Sequence, residues 1–185
     1  WAHNMLFCEN IAAKNLTVEA GHDGFDAAVC KNISITDCEF YTGDDCIAGF
    51  GNTNVFVDNC LLNCACSAFR FGGTNVLIKN CKAYAPGKYA FRGALSKEEK
   101  ANGTMATGDR ARNNMLSFFT YYADYSVPIP EEPGNIIIQD CQIIGADRFL
   151  HYNFSGSEVW QRYRPLRDIT FKNIQAEGIA MPMTV

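Results

Sequence analysis

Apolar and polar residues alternate along this chain in short runs that recur with one spacing. "NIAAKNLTVEA" from Asn10, "NISITDCEFYT" from Asn32, "NVFVDNCLLNC" from Asn54, "NVLIKNCKAYA" from Asn75, "NIIIQDCQIIG" from Asn135 and "DITFKNIQAEG" from Asp168 all read Asn or Asp, apolar, any, apolar. The first starts lie 22, 22 and 21 residues apart, and the later steps are 60 and 33. Short alternating runs rich in Val, Ile, Phe and Thr, with Asn and Gly at the corners, predict strands separated by turns. A leucine-rich repeat of similar length needs a Leu-x-x-Leu-x-Leu frame, and Leu is sparse here. Two or three short strands per coil, with coils stacked at roughly 4.8 Å, make an all-β fold, a right-handed parallel β-helix. Insertions near 94–115, 124–134 and 155–167 account for the longer steps.

In such a stack, residue n lies over a residue about one repeat later, so like sits on like. Cys38, Cys60, Cys81 and Cys141 share one repeat position, and Cys8 and Cys30 share another, two residues before the corner Asn. Nine cysteines is an odd number, and their recurrence at one place in a repeat predicts packed thiols rather than a disulfide framework. Asn10, Asn32, Asn54, Asn75 and Asn135 are expected to form a corner ladder that satisfies backbone groups at the bends.

A chain of 185 residues, 48% apolar and 19% charged, suits one globular domain with a real core. The net charge of −4 gives no sequence-independent nucleic-acid footprint. No apolar run approaches the roughly 18 residues of a membrane span, so no membrane partner is expected. The opening "WAHNMLFCENIAAKN" lacks the order of a signal peptide.

The repeat also aligns carboxylates. Counting back nine residues from the starts at 32, 54 and 75 places Asp23, Asp45 and Cys66 in one column, with Asp44 beside Asp45. Three carboxylates on the outside of neighbouring coils repel one another and raise at least one pKa, which is unfavourable unless a proton, cation or substrate uses them. The alternative is that Asp23 and Asp44 form Asx turns at coil corners. Gly21, Gly24 and Gly43 remove bulk around the acids, and Asp26 is expected to be structural.

"DGFD" followed one coil later by "GDDCIA" resembles the glycoside hydrolase family of polygalacturonases and related pectin-degrading enzymes, and Trp1 with "CENIAAKNLTV" is similar to the family's preceding coil. The resemblance runs from Trp1 to about Gly93 and implies that several coils precede this stretch, making the chain a partial domain. It implies that Asp44 is the general acid, and that Asp23 and Asp45 hold and activate water on the opposite face. An inverting glycosidase needs its carboxyl groups roughly 6.5–9.5 Å apart. The departures are equally specific. Gly21-His22-Asp23 stands where the family has Asn-Thr-Asp, and the family's Gly-His-Gly histidine falls on Cys66 or Ser67 in "ACSAFRFGG". "KYAFRGAL" puts Arg92 at the substrate-carboxylate Arg but Ala94 at its Lys. His22 could replace the missing histidine from a neighbouring coil.

Arg70 lies between two Phe on a strand and should point outward, either clamping a sugar carboxylate or pairing with the acids. In "SGSEVWQRYRPLR", Trp160 and Tyr163 offer flat stacking surfaces for a glycan, with Arg162 and Arg164 beside them, or equally belong to a loop folded back on its own coil. Hydrolysis of a glycan, without a cofactor, is the first expectation. A lyase holding Ca²⁺ on Asp23, Asp44 and Asp45, with Arg70 or Arg92 as base, is the second. A non-catalytic glycan-binding β-helix is the third. Glycan chemistry suggests export, to the periplasm or outside the cell, whereas unpaired thiols suit a reducing compartment.

Overall fold

The computed structural model describes residues 1–103, 111–129 and 131–183. Its strands form a parallel β-helix of six coils, each contributing one stretch to each of three faces. The first face stacks β1 (His3–Leu6), β4 (Phe25–Ala28), the start of β7 (Ile47–Asp58), the start of β9 (Ser67–Lys79), β11 (Met115–Tyr121) and β13 (Ala146–His151). The second stacks β2 (Glu9–Lys14), β5 (Lys31–Thr36), the ends of β7 and β9, and the starts of β12 (Gly134–Ile144) and β14 (Ile169–Glu177). The third stacks β3 (Thr17–Ala20), β6 (Glu39–Thr42), β8 (Leu61–Cys64), β10 (Lys82–Tyr84) and the ends of β12 and β14.

Rows of equivalent residues fill the interior. Phe25, Ile47, Phe69, Phe119 and Leu150 stack in register on the first face, and Ile33, Val55, Val76 and Ile136 on the second. Asn10, Asn32, Asn54, Asn75 and Asn135 all adopt left-handed backbone with φ of 53–59°, a conformation Asn tolerates best among residues with a Cβ. Their side-chain amides hydrogen-bond from coil to coil at 2.9, 3.1, 3.2 and 2.9 Å, the expected ladder. A second left-handed corner, at Asn15, Asp37, Asn59, Asn80, Asp140 and Asn173, runs parallel to it.

All nine cysteines are free. Cys38, Cys60, Cys81 and Cys141 are buried, each follows a left-handed residue, and each thiol donates to the carbonyl two residues back, at 3.1–3.4 Å. Cys30 repeats the geometry with the Ala28 carbonyl at 3.4 Å after left-handed Val29. The thiol thus fills core volume and satisfies a corner carbonyl at once.

The coil length changes within one strand. In β7 the register to β9 slips between Gly49 and Asn52, so an offset of 22 residues before the slip becomes 21 after it. Asn52 is buried there, donating to the Ala27 carbonyl at 2.8 Å and accepting from the Cys30 amide at 2.9 Å. The slip corrects the column counted from the sequence: Ser67, not Cys66, stacks over Asp45.

After β10 the chain leaves the stack and rejoins it at β11. On the way it makes a 3₁₀ turn at Arg92–Ala94 and a short helix α1 (Lys97–Ala101) capped by Ser96 and Glu99. Of the stretch expected as an insertion at 94–115, residues 104–110 lie outside the described residues, as does Pro130 of 124–134. Among the described residues no helix is long and apolar enough to cross a membrane.

Candidate active site

Asp23 and Asp45 lie two residues before β4 and β7, and Ser67 opens β9 on the next coil, and the backbone ties the three together. Asp23 Oδ1 accepts from the Asp45 amide at 3.1 Å, and Asp45 Oδ1 accepts from the Ser67 amide at 2.8 Å. Each of these buried carboxylates therefore has one oxygen fixed by the next coil and one left over. Asp23 is 4% exposed and Asp45 1%. Close approach of the chain here depends on Gly43, where a Cβ would lie 2.6 Å from the Gly21 carbonyl oxygen and 2.8 Å from that of Ala90.

Asp44 is the more accessible acid, its side chain 20% exposed. Burial, and then the charge of Asp23, raise its pKa, while His22 and the Cys66 thiol pull it down more weakly. Burial pushes Asp45 up to about 7, with Asp44 and Asp23 adding to the rise and Arg70 opposing it. Asp26 is also raised, by burial first and Asp23 second. Burial and mutual repulsion thus favour the protonated forms of Asp26, Asp44 and Asp45.

His22 does come to the cluster. Its Nδ1 accepts from the Asp23 amide at 2.8 Å and lies 3.1 Å from Asp23 Oδ2 and 4.0 Å from Asp44 Oδ2, with the ring against Trp1 at 4.7 Å between centroids. Cys66 sits half-buried beside Asp44, its Sγ within 4.8 Å of oxygens of Asp44 and Asp45. Burial and both carboxylates push its thiol pKa far up, so it is a weak donor rather than a nucleophile.

Oxygens of Asp23 and Asp44, with the His22 nitrogen, also lie within 4.8 Å of one another. These approaches are shorter than the roughly 6.5–9.5 Å gap between acid and base expected from the inverting pattern.

Arg70 projects outward between buried Phe69 and Phe71, as the strand alternation requires. Its guanidinium lies 4.1 Å from the Tyr122 ring centroid and 4.6 Å from that of Trp160, and its Nη1 is 3.8 Å from Asp45 Oδ2. Trp160 thus packs on Arg70, which brings its loop back onto the stack beside the acids. Gln161, wholly buried, bolts its loop to the stack: Nε2 donates to the carbonyls of Tyr121 at 3.0 Å and His151 at 2.9 Å, and Oε1 accepts from the Asn153 amide at 3.1 Å.

The coil expected at "KYAFRGAL", with Arg92 on it, is corrected by the structure. "KYAFRGAL" forms no coil; the residue stacked on Arg70 is Thr120, on β11. The excursion folds back over earlier coils, so that the Arg92 amide donates to the Gly43 carbonyl at 2.9 Å, next to Asp44. Among the described residues its side chain makes no ion pair.

Tyr122 and Gln161 carried no repeat signal. Asp26 did, since alternation turns it away from core residue Phe25.

Residues 2–68 match the model of the family described as Glycosyl hydrolases family 28. An exopolygalacturonase of Platanus acerifolia is 37% identical over 67 residues. The first third of this chain is polygalacturonase-like. The aligned stretch amounts to 33% of this chain and 17% of the exopolygalacturonase. Asp23, Asp44 and Asp45 lie within the family match. No solved structure matches the chain.

Proposed function

We propose that this polygalacturonase-like chain carries the catalytic acids of a glycoside hydrolase that cleaves a polysaccharide or oligosaccharide with inversion. Asp44 is the general acid: it is the most exposed of the three carboxyls, and burial and the Asp23 charge shift its pKa upward, the direction an acid needs. Asp23 and Asp45 hold and activate the water. The observation that carries the reading is their burial, with one oxygen of each fixed by a backbone amide. A carboxylate so enclosed cannot reach a ring carbon as a nucleophile, whereas a water can reach its free oxygen. That favours direct displacement over a covalent intermediate despite the short spacing of the acids.

A lyase suits the geometry less well. Calcium takes six to eight oxygen ligands, and the two groups of donors here include a histidine nitrogen and a cysteine sulfur. Arg70, one of the two candidate bases beside Arg92, lies over the Tyr122 and Trp160 rings and faces Asp45. The test is reducing-end release from neutral and uronic-acid oligosaccharides, with and without EDTA, with the product anomer read by NMR. Hydrolysis predicts EDTA-resistant release of the inverted anomer, and a loss of about 10²–10⁴-fold in Asp44→Asn. Calcium-dependent release of an unsaturated product, or unchanged turnover in the variant, would sink the assignment.

A further inference from the structure

Tyr125 and Glu132 meet loop 155–167 in a cleft of about 410 Å³ lined by Tyr125, Glu132, Tyr163, Arg164, Pro165 and Arg167. It lies outside the acid cluster, although that loop also carries Trp160, which packs on Arg70. The Arg164 guanidinium lies 4.0 Å from the Tyr125 ring centroid, and its Nε is buried with no hydrogen-bond partner. An unpaired buried guanidinium N–H is costly. Its backbone is fixed, because the Tyr152 hydroxyl donates to the Arg164 carbonyl at 2.9 Å. Among the described residues neither Arg164 nor Arg167 has a carboxylate within ion-pair distance.

Glu132 is already engaged, its Oε2 accepting from the Tyr125 hydroxyl at 2.9 Å. Tyr163 holds left-handed backbone at φ 60° while remaining 66% exposed, an unfavourable state for a bulky residue that aims a flat ring at solvent.

We propose that this cleft is a second sugar-binding site, for a carboxylate-bearing saccharide. Two guanidiniums take the carboxylate, the tyrosine rings take the sugar face, and Glu132 accepts from a hydroxyl. A phosphate would gain the guanidiniums but leave the tyrosine rings without an apolar face to pack on. The choice of a sugar rests on the glycosidase reading; the geometry of the cleft does not.

The test titrates oligogalacturonate, a neutral galacto-oligosaccharide and inorganic phosphate into the protein carrying Asp44→Asn, which blocks turnover. The readouts are the Nε–H resonance of Arg164 and calorimetric affinity. Oligogalacturonate should shift that resonance, and Arg167→Ala, an exposed change that leaves the core intact, should weaken binding about tenfold or more. Arg164→Lys should weaken it similarly. In the turnover-competent protein the same variants should raise KM for long acidic chains with kcat unchanged. Equal affinity for the neutral sugar, equal competition by phosphate, or unaltered binding in both variants would overturn the proposal. Should no glycan be hydrolysed while acidic sugar still shifts Arg164, the catalytic reading fails and the site stands.

Discussion

Asp45→Asn should make the protein more stable at high pH and leave it no better off in acid. A carboxyl whose pKa is higher folded than unfolded favours the protonated form in the fold. Its contribution is therefore fully present below the unfolded value, near 4, and is lost as the pH rises to the folded value of about 7. Roughly three units at 1.36 kcal/mol each set an upper figure of about 4 kcal/mol for the loss. Asparagine has the same shape and keeps an oxygen for the Ser67 amide, but its NH₂ then faces Arg70 Nη1, 3.8 Å from the present Oδ2. That mismatch costs about 1 kcal/mol, leaving a gain of about 3 kcal/mol at pH 8 that vanishes near pH 4. Urea unfolding of both proteins across this range gives the two curves. Parallel curves, or a variant less stable at pH 8, would refute the claim that Asp45 is a strained buried acid. Activity should fall in the same variant, since the group that destabilises the fold is the one assigned to water.

Gln161→Ala strands two carbonyls and an amide in the interior and should cost about 3 kcal/mol, together with faster proteolysis of the 155–167 loop; a change within 0.5 kcal/mol would contradict its anchoring role. Arg70→Met keeps the stem between Tyr122 and Trp160 but removes the charge that opposes the rise of Asp45. The acidic limb of the pH–rate profile should then move up by about one unit, and an unmoved limb would separate Arg70 from Asp45.

The solenoid was legible because its physics is periodic: a face that must stack on a copy of itself repeats its pattern, and Asn10 to Asn135 and Cys38 to Cys141 repeat theirs. Asp23, Asp44 and Asp45 were legible for the same reason. What escaped was whatever breaks the period. The slip in β7 lies in "GFGNT", where nothing in composition says which coil is a residue longer, so Cys66 and Ser67 could not be separated. The segment of Arg92 was read as a coil because a segment that leaves the stack and folds back has no repeat partner to set its register. Tyr122 and Gln161 reach the site through contacts far apart in sequence, and their neighbours carry no spacing that announces them.

In a flat sheet a one-residue slip turns every later side chain to the opposite face. The slip at Gly49–Asn52 does no such thing, because the surplus residue is taken up where the chain turns from one face to the next, and Val55 still meets Val76 inside the coil. Faces of this solenoid are consequently separate reading frames. A lineage can lengthen or shorten one corner, or splice in an excursion such as that between Tyr84 and Met115, without rewriting the face that holds the acids. Residue content along a face is then under one kind of constraint and coil length under another.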